Sequence, residues 1–397
     1  MSNKQKIVVA VVVIAIVAAG GYFFKNRAAV RQSQNKQLDL SGKQPIESTG
    51  PANTGDVSPI SGIACDNWNK RAIAVMQPAD VPARPAAGFS DADMVFEMPV
   101  FTGSTTRLMG VYLCTIPKDI GSMRSARHDN IPLAKGLDAV FVHWGYSKFA
   151  ETLLSQKVID NIDCLVHETD LCPRWPQTTG IRKEDTGRIA KEGVEKAMQK
   201  FGYRTEGNFS GYPHQTEAST DQRPKGGHLR IAFPNPYDVE YEYDPSTNSY
   251  LRLWDDVVDT DKNNGKRVAP KNVVVMIAQS EQIKLSTDYK ARGVQDPWEL
   301  VPEHDRAGLN DIPGAPGIGR YNNMQMGDPW FDTQDSGDAF FYFNGQQHKG
   351  IWKKDKSKLD SKLTFFDENG NEVKFVPGQI WVDVVEPGYG VKWEPAA

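Results

Sequence analysis

The chain has 397 residues, enough for about two domains at roughly 150 residues each. Hydrophobic residues make up 39% of the sequence and charged residues 24%, a composition that argues against a disordered or fibrous chain and permits a sizeable core. The first 27 residues hold 4 of the 46 basic and none of the 50 acidic residues, so the remainder carries a formal charge of −8, which disfavours a nucleic-acid partner.

An uncharged apolar run opens the chain. It covers Ile7 to Phe24, 18 residues, and basic residues flank it on both sides. That length spans a hydrocarbon core of about 30 Å, whereas the apolar region of a cleaved signal peptide usually has about 7–15 residues. We therefore predict an uncleaved signal anchor, one transmembrane helix, over residues 1–27, with cleavage as the alternative. The flanking charges are nearly balanced and do not indicate an orientation.

The next segment, residues 28–59, is rich in Gln, Ser, Asn, Gly and Pro and has few large apolar residues. Such a composition cannot bury enough apolar surface to fold. It predicts a disordered, flexible tether between the anchor and the folded part.

Residues 60–215 are predicted to form an α/β domain. Short apolar runs broken by Pro, Gly and Asp indicate buried strands, and helical segments alternate with them. The strand candidates are RAIAVM, DADMVFEMPV, TRLMGVYLC and LDAVFVHWG; the helix candidates are Asp129–Gly136, Ser147–Gln156 and Lys183–Phe201, the last ending at a glycine cap.

A β-rich domain is predicted for residues 228–390, after a Gly-, Pro- and Ser-rich boundary at 206–227. Two Asn-Gly pairs, Asn344-Gly345 and Asn369-Gly370, separate alternating apolar and polar runs, which is a strong hairpin signal. The other strand candidates are 229–234, 239–243, 250–254 and 272–277.

All four cysteines follow the predicted anchor, and their even number suits two disulfides in an oxidising compartment. We predict a disulfide between Cys164 and Cys172, with free buried thiols as the alternative, and leave the pairing of Cys65 and Cys114 open. The spacing does not match a zinc site, so no metal is predicted.

Four arginines near predicted strand ends are candidates for an anion-binding site: Arg84, Arg107, Arg124 and Arg127. Guanidinium groups form paired hydrogen bonds to phosphate or carboxylate, and ligands tend to bind at the strand ends of α/β sheets. The alternative is that each arginine forms a structural ion pair with a nearby acid, for which the sequence offers Asp91, Asp93, Glu97, Asp119 and Asp129.

Glu97 and His143 are weak candidates for catalytic acid/base residues, because His143 follows a predicted strand and histidine carries protons near neutral pH. A histidine in this position is more often a hydrogen-bonded core residue. No GxSxG, HExxH, Walker or GxGxxG motif is present, so the sequence leaves open whether the protein is an enzyme and specifies no cofactor.

Several segments, in order and at similar spacing, resemble the YerB-like family of exported bacterial lipoproteins, known as domain of unknown function 3048. They are SPISGI (58–63), RAIAVM (71–76), ARPAAGFSDADMVFE (83–97), TRLMGVY (106–112), IGSMRSAR (120–127), LDAVFVHWG (137–145), GIWKK (350–354) and FFDENGNEVKFVPGQIWVDVV (365–385). The resemblance implies an extracytoplasmic protein with an N-terminal domain and a β-rich C-terminal domain. It implies no established reaction.

The chain departs from the family pattern in two places. No cysteine precedes Cys65, so a transmembrane helix is expected to replace the lipid anchor. The segment after Ile162 differs from the loop expected there, and no site is carried over from it. The resulting hypotheses are a membrane-anchored cell-envelope module that binds an anionic wall component or an envelope protein, and an enzyme acting on a phosphate-containing envelope polymer or lipid-linked precursor. In the second, Arg107, Arg124 and Arg127 form the clamp.

Overall fold

The computed structural model describes residues 56–100, 105–178, 180–282, 322–324 and 335–396. The predicted anchor and nearly all of the predicted tether lie outside these ranges. Among the described residues, no helix has the length and apolar composition needed to cross a membrane.

The described elements begin with strands and helices in alternation and end with strands alone. The helices are α1 (Asn130–Gly136), α2 (Lys148–Ser155) and α3 (Lys191–Phe201). The strands up to α3 are β1 (Ile73–Pro78), β2 (Met94–Pro99), β3 (Thr106–Tyr112), β4 (Ile120–Gly121), β5 (Val140–His143), β6 (Asn161–Asp163) and β7 (Arg188–Ile189). The later strands are β8 (Gly227–Ile231), β9 (Val239–Asp244), β10 (Ser249–Trp254), β11 (Val257–Val258), β12 (Asn272–Ile277), β13 (Ser280–Gln282), β14 (Asn322–Met324), β15 (Ser336–Phe343), β16 (Gln346–Lys353), β17 (Thr364–Asp367), β18 (Ile380–Val385) and β19 (Val391–Pro395). The prediction of a mixed α/β N-terminal part and a β-rich C-terminal part is confirmed.

One ten-stranded sheet takes strands from both parts, in the order β17-β16-β15-β12-β18-β2-β3-β1-β5-β6. The two parts meet where β18 pairs with β2 in parallel. Strands β12, β18, β2, β1, β5 and β6 run in one direction, and β3 runs against them between β2 and β1. Strands β1, β2, β3 and β18 are buried on both faces, which explains why they appear in the sequence as continuous apolar runs.

The two faces of this sheet are covered differently. On the face here called the helix face, α1 and α2 pack against side chains such as Met76 and Phe141. On the opposite face, here called the sheet face, a five-stranded antiparallel sheet, β11-β10-β9-β8-β19, and α3 pack against side chains such as Val75 and Val95. The ten-stranded sheet is therefore the middle layer of the fold.

Local capping accounts for the start of α2 and the end of α3. Helix α2 begins after Ser147, whose hydroxyl accepts a hydrogen bond from the N–H of Ala150, and α3 ends at Gly202 with φ of 66°. The sequence predicted that α3 begins at Lys183. It begins at Lys191, because Arg188 and Ile189 pair with β4 as strand β7. The Asn344-Gly345 turn joins β15 to β16 as predicted, and both residues have positive φ.

Candidate functional site

The candidate site lies at the carboxyl edge of the parallel strands. Strands β1, β2 and β5 end at this edge, and the antiparallel strand β3 begins there with Thr106 and Arg107. Arg107 lies opposite Pro78 of β1 and Met98 of β2. The carboxyl ends of strands are where ligands bind in open α/β sheets, so this edge brings basic residues to a favourable place.

Arg107 is the central residue of this site. It is only 8% exposed, and its Nη1 donates a hydrogen bond to the carbonyl oxygen of Ser125 at 3.2 Å. Its Nε is buried without a hydrogen-bond partner, and no ion pair among the described residues includes this guanidinium. Burial lowers the pKa of Arg107 well below its ordinary value, and repulsion from Arg127 and Arg124 adds to the effect. Arg107 is thus a buried cation beside two other cations.

A loop segment between β1 and β5 supplies the other two arginines. The N–H of Arg124 donates to the Met76 carbonyl, and the N–H of Ala126 donates to the Gly145 carbonyl. These backbone bonds hold the main chain of residues 124–127 across the ends of two strands, and both arginines lie close enough to Arg107 to repel its charge. The structure therefore brings together Arg107, Arg124 and Arg127, here called the arginine cluster.

Arg124 differs from Arg107 in having acidic partners. Its Nη2 lies 2.5 Å from Asp185 Oδ1 and 3.2 Å from Asp80 Oδ2, and its Nη1 donates to the carbonyl of Glu184. None of the five acids that the sequence offered is in an ion pair with Arg107 or Arg124 within the described part of the chain. Glu97 pairs with Arg252, and Asp119 with Arg188. The hypothesis of structural ion pairs therefore holds for Arg124, although its partners are Asp185 and Asp80. It does not hold for Arg107 among the described residues.

Arg84 lies apart from the arginine cluster. Its Nη2 donates to the carbonyls of Ala79 at 2.8 Å and Pro236 at 2.7 Å, and its guanidinium stacks over the Trp254 ring at 4.0 Å. These contacts tie the loop after β1 to the five-stranded sheet. The described contacts of Arg84 therefore lie on the sheet face, away from the arginine cluster.

His143 ends β5 on the helix face and is fully buried. Its Nδ1 lies 2.9 Å from the Gly145 carbonyl, its Nε2 lies 3.2 Å from Asn161 Oδ1, and the Asp163 carboxylate is 3.8 Å away. Burial lowers the pKa of His143 despite Asp163, which favours a neutral ring at neutral pH. Both ring nitrogens face protein groups, so the residue holds the corner at Gly145 in place.

Glu97 lies on the other face of the sheet. Strand residues alternate between faces, so Glu97 follows Val95 onto the sheet face, whereas Arg107 follows Met109 onto the helix face. Thr106 donates a hydrogen bond to Glu97 at 2.7 Å, and Arg252 lies 2.6 Å away. The structure does not bring Glu97 and His143 together.

A buried charge network surrounds Glu97, and the sequence analysis did not identify it. Arg252 of β10 contacts both Glu97 and Asp259, and the Tyr241 hydroxyl donates to Asp383 Oδ2 at 3.0 Å. All four charged side chains are nearly or fully buried between the two sheets. A signal was present: an aspartate in IWVDVV and an arginine in YLRLW each interrupt an apolar strand.

Replacing Asp383 by asparagine is expected to make the protein relatively more stable as the pH rises. Burial, together with Glu97, raises the pKa of Asp383 well above its ordinary value. A raised pKa in the folded state means that this carboxyl stabilises the fold most below its unfolded pKa of about 3.9, and that this contribution is lost as pH rises through the folded pKa. Asparagine cannot ionise, and the variant should gain up to about 1.4 kcal/mol per pH unit over the wild type within that window.

Urea unfolding of the full-length protein between pH 4 and pH 9 measures this difference. Asp66→Asn, at an exposed position outside the described ion pairs, is the control and should show no such trend. A pH-independent difference between Asp383→Asn and the wild type would contradict the expectation.

The cysteines form two pairs in the structure, Cys164 with Cys172 and Cys65 with Cys114. The first closes the turn that follows β6, next to the corner at Gly145. The second joins the segment before β1 to the end of β3. Both disulfides therefore restrain segments that adjoin strands of the ten-stranded sheet.

One group of acids comes close enough to suggest a cation, since the carboxylates of Asp238, Glu240 and Asp256 lie within 4.8 Å of one another. Arg230 already pairs with Asp238 at 3.2 Å, and His228 lies 2.9 Å from Glu240. Acids that already have basic partners do not by themselves make a metal site, and we assign none to them.

Comparison with known proteins gives two family matches. Residues 60–204 match the N-terminal domain, and residues 229–296 and 318–382 the C-terminal domain, of the family described as protein of unknown function (DUF3048). The chain is 24% identical over 335 residues to a Bacillus subtilis (strain 168) protein named "Putative lipoprotein YerB", covering 83% of this chain and 86% of that protein. The crystal structure of the YerB protein from Bacillus subtilis matches with a TM-score of 0.65 and 22% identity, covering 85% of this chain and 99% of the other, which shows a shared fold.

Proposed function

The chain belongs to the DUF3048 family, and from that premise we propose that it is a cell-envelope protein that binds an anionic ligand at the arginine cluster. The observation that carries the proposal is Arg107, a buried guanidinium with two cationic neighbours, a buried Nε without a hydrogen-bond partner and no ion pair among the described residues. A phosphate or a carboxylate would supply the missing charge and hydrogen bonds.

The energetic reasoning concerns the cost of burying a cation. A charged group removed from water is destabilising unless a counter-charge and hydrogen bonds compensate it. Arg124 has this compensation from Asp185 and Asp80. Arg107 has one hydrogen bond to a carbonyl, and the attraction of Asp80, which is already paired with Arg124, does not offset its burial. A site that stays unfavourable until an anion arrives is what a binding function requires, whereas a purely structural arginine is better paired with a protein carboxylate.

The proposed location is the outer face of a bacterial membrane. The similar Bacillus subtilis protein is named as a lipoprotein, and the uncharged run from Ile7 to Phe24 is long enough to serve as a transmembrane anchor in place of a lipid. Two cysteine pairs suit an oxidising compartment. The anionic partners available there include phosphate-containing wall polymers and membrane lipids.

Binding is favoured over catalysis for a geometric reason. A catalytic acid or base must reach the ligand beside the arginine cluster. Glu97 is bonded to Arg252 on the opposite face of the sheet, and His143 is fully buried with both ring nitrogens facing protein oxygens. No observation on the described residues supports a reaction, so the proposal is a binding protein.

Replacing Arg107 by glutamine is expected to weaken anion binding at least about tenfold, because a charge-assisted hydrogen bond contributes roughly 1.5–3 kcal/mol. The measurement is calorimetric titration of the full-length protein in neutral detergent with inorganic phosphate and pyrophosphate. The variant should unfold at the same temperature as the wild type or higher, since it removes an uncompensated buried charge.

Arg223→Gln provides the matched control. Arg223 is also largely buried, but it donates to the carbonyls of Ala218 and Pro245 and pairs with Glu217. This control should lose thermal stability and keep the wild-type affinity. No anion binding by the wild type, or unchanged affinity in Arg107→Gln, would falsify the proposal.

A further inference from the structure

Exposed apolar side chains gather beside the arginine cluster. Seven large hydrophobic residues of the described chain are exposed, and four of them follow the carboxyl ends of β1, β5 and β6: Val81, Tyr146, Leu165 and Val166. Leu165 is 56% exposed and Val166 70%. Single exposed apolar residues are ordinary, but a concentration at one edge of the sheet marks an interaction surface.

Ser125 and Gly145 lie between these residues and Arg107. The Arg107 guanidinium donates to the carbonyl of Ser125. A Cβ placed on Gly145 would come within 3.9 Å of the Ser125 hydroxyl and 3.2 Å of Leu165 Cδ2, so Ser125 and Leu165 both flank Gly145. Tyr146 follows Gly145 and pairs with Ala126 through a β-bridge. Tyr146, Leu165 and Val166, here called the apolar rim, therefore adjoin the cationic site.

The apolar rim is held rigidly. Asp163 Oδ1 accepts hydrogen bonds from the N–H groups of both Gly145 and Leu165 at 2.9 Å. The Cys164–Cys172 pair closes the turn that carries Leu165 and Val166. The backbone that carries these exposed side chains is thus held in place, which reduces the backbone entropy lost when a ligand covers them.

The backbone of this turn favours a hydrocarbon over a peptide as the covering group. The N–H groups of Val166 and His167 both donate to the Asp163 carbonyl, and those of Leu171 and Cys172 donate to the His167 carbonyl. A peptide that pairs as an added strand needs free backbone donors, and these are already used within the turn. A hydrocarbon chain needs none.

Resting on the proposed anion site, we propose that its ligand is amphipathic: a phosphate ester of a long-chain alcohol, whose phosphate binds the arginine cluster and whose hydrocarbon lies on the apolar rim. The same phosphate group occurs in free phosphate and in lipid headgroups, and charge complementarity alone does not separate them. The apolar rim distinguishes them, because its burial adds binding free energy only for a ligand that carries a hydrocarbon next to the anion.

The test uses the full-length protein in nanodiscs of zwitterionic lipid, titrated with inorganic phosphate, hexyl phosphate and the uncharged hexyl glucoside, with empty nanodiscs as the blank. The wild type should bind hexyl phosphate at least about tenfold more tightly than phosphate. Leu165→Ser with Val166→Ser should abolish that ratio and leave phosphate affinity unchanged. Hexyl glucoside should bind neither protein measurably.

Val257→Ser with Val258→Ser is the matched control, since these two valines of β11 are also exposed and lie on the other sheet. This control should keep the wild-type ratio. Equal affinity for phosphate and hexyl phosphate, an unchanged ratio in the Leu165/Val166 variant, or hexyl glucoside binding as tight as hexyl phosphate would overturn the amphipathic ligand alone. Absence of all phosphate binding would overturn the anion site itself.

Discussion

Replacing Arg252 by methionine is expected to lower the free energy of unfolding by about 3–5 kcal/mol, the usual result of removing one partner from a buried ion pair. Arg252 is fully buried and contacts Glu97 and Asp259, which are also buried. Burial opposes the charged form of Arg252, but the two carboxylates outweigh it and raise its pKa. Without the guanidinium, the carboxylates of Glu97 and Asp259 lose their counter-charge. Their removal from water then destabilises the folded state without compensation.

Urea unfolding of the full-length protein at pH 7 measures the loss. Adding Glu97→Gln and Asp259→Asn to Arg252→Met should recover a large part of it, because the triple variant leaves no buried charge uncompensated at these positions. Arg230→Met is the matched control: Arg230 pairs with Asp238 and Glu240 but is half exposed, and its loss should cost less than about 1 kcal/mol. A loss below 1 kcal/mol for Arg252→Met would show that the network does not hold the sheets together.

Replacing Cys65 and Cys114 by alanine is expected to destabilise the protein by about 4 kcal/mol, more than the same change at the other pair. The two cysteines are 49 residues apart in sequence, whereas Cys164 and Cys172 are 8 apart. A disulfide restricts the unfolded chain, and in the chain-entropy description the longer loop gives the larger effect, with about 2.6 kcal/mol for the shorter one. The longer loop also contains the whole of β1, β2 and β3, so closing it reduces the number of chain conformations in which these strands are far apart.

Urea unfolding of the two double variants at equal protein concentration shows which disulfide stabilises the protein more. The free energy of unfolding of the wild type is also measured with and without a reducing agent. The difference should approach the sum of the losses in the two double variants. Equal stabilities for the two variants, or a larger loss for Cys164 and Cys172, would contradict the loop-length argument.

The arginine cluster shows which part of the candidate site can be predicted from local sequence. Arg107 and the segment from Arg124 to Arg127 were recognised because they stand at predicted strand ends, and parallel strands bring their ends to one edge. Arg84 has the same sequence signal, yet it stacks on Trp254 on the other face. Nothing in the local pattern reports that the loop after β1 turns toward the second sheet, because the partner residues lie about 150 positions later in the chain.

Hydrophobic periodicity by itself determined most of the elements, since a strand buried on both faces needs a continuous apolar run and a hairpin turn needs residues that accept positive φ. The early start predicted for α3 was wrong because Arg188 and Ile189 pair with a distant strand instead. Only the tertiary structure decided that one sheet passes through both halves of the chain, that Glu97 faces Arg252 rather than His143, and that Arg107 is buried. The physical reason is the same in each case: pairing, pleat direction and burial depend on residues far apart in sequence, while periodicity reports only on neighbours.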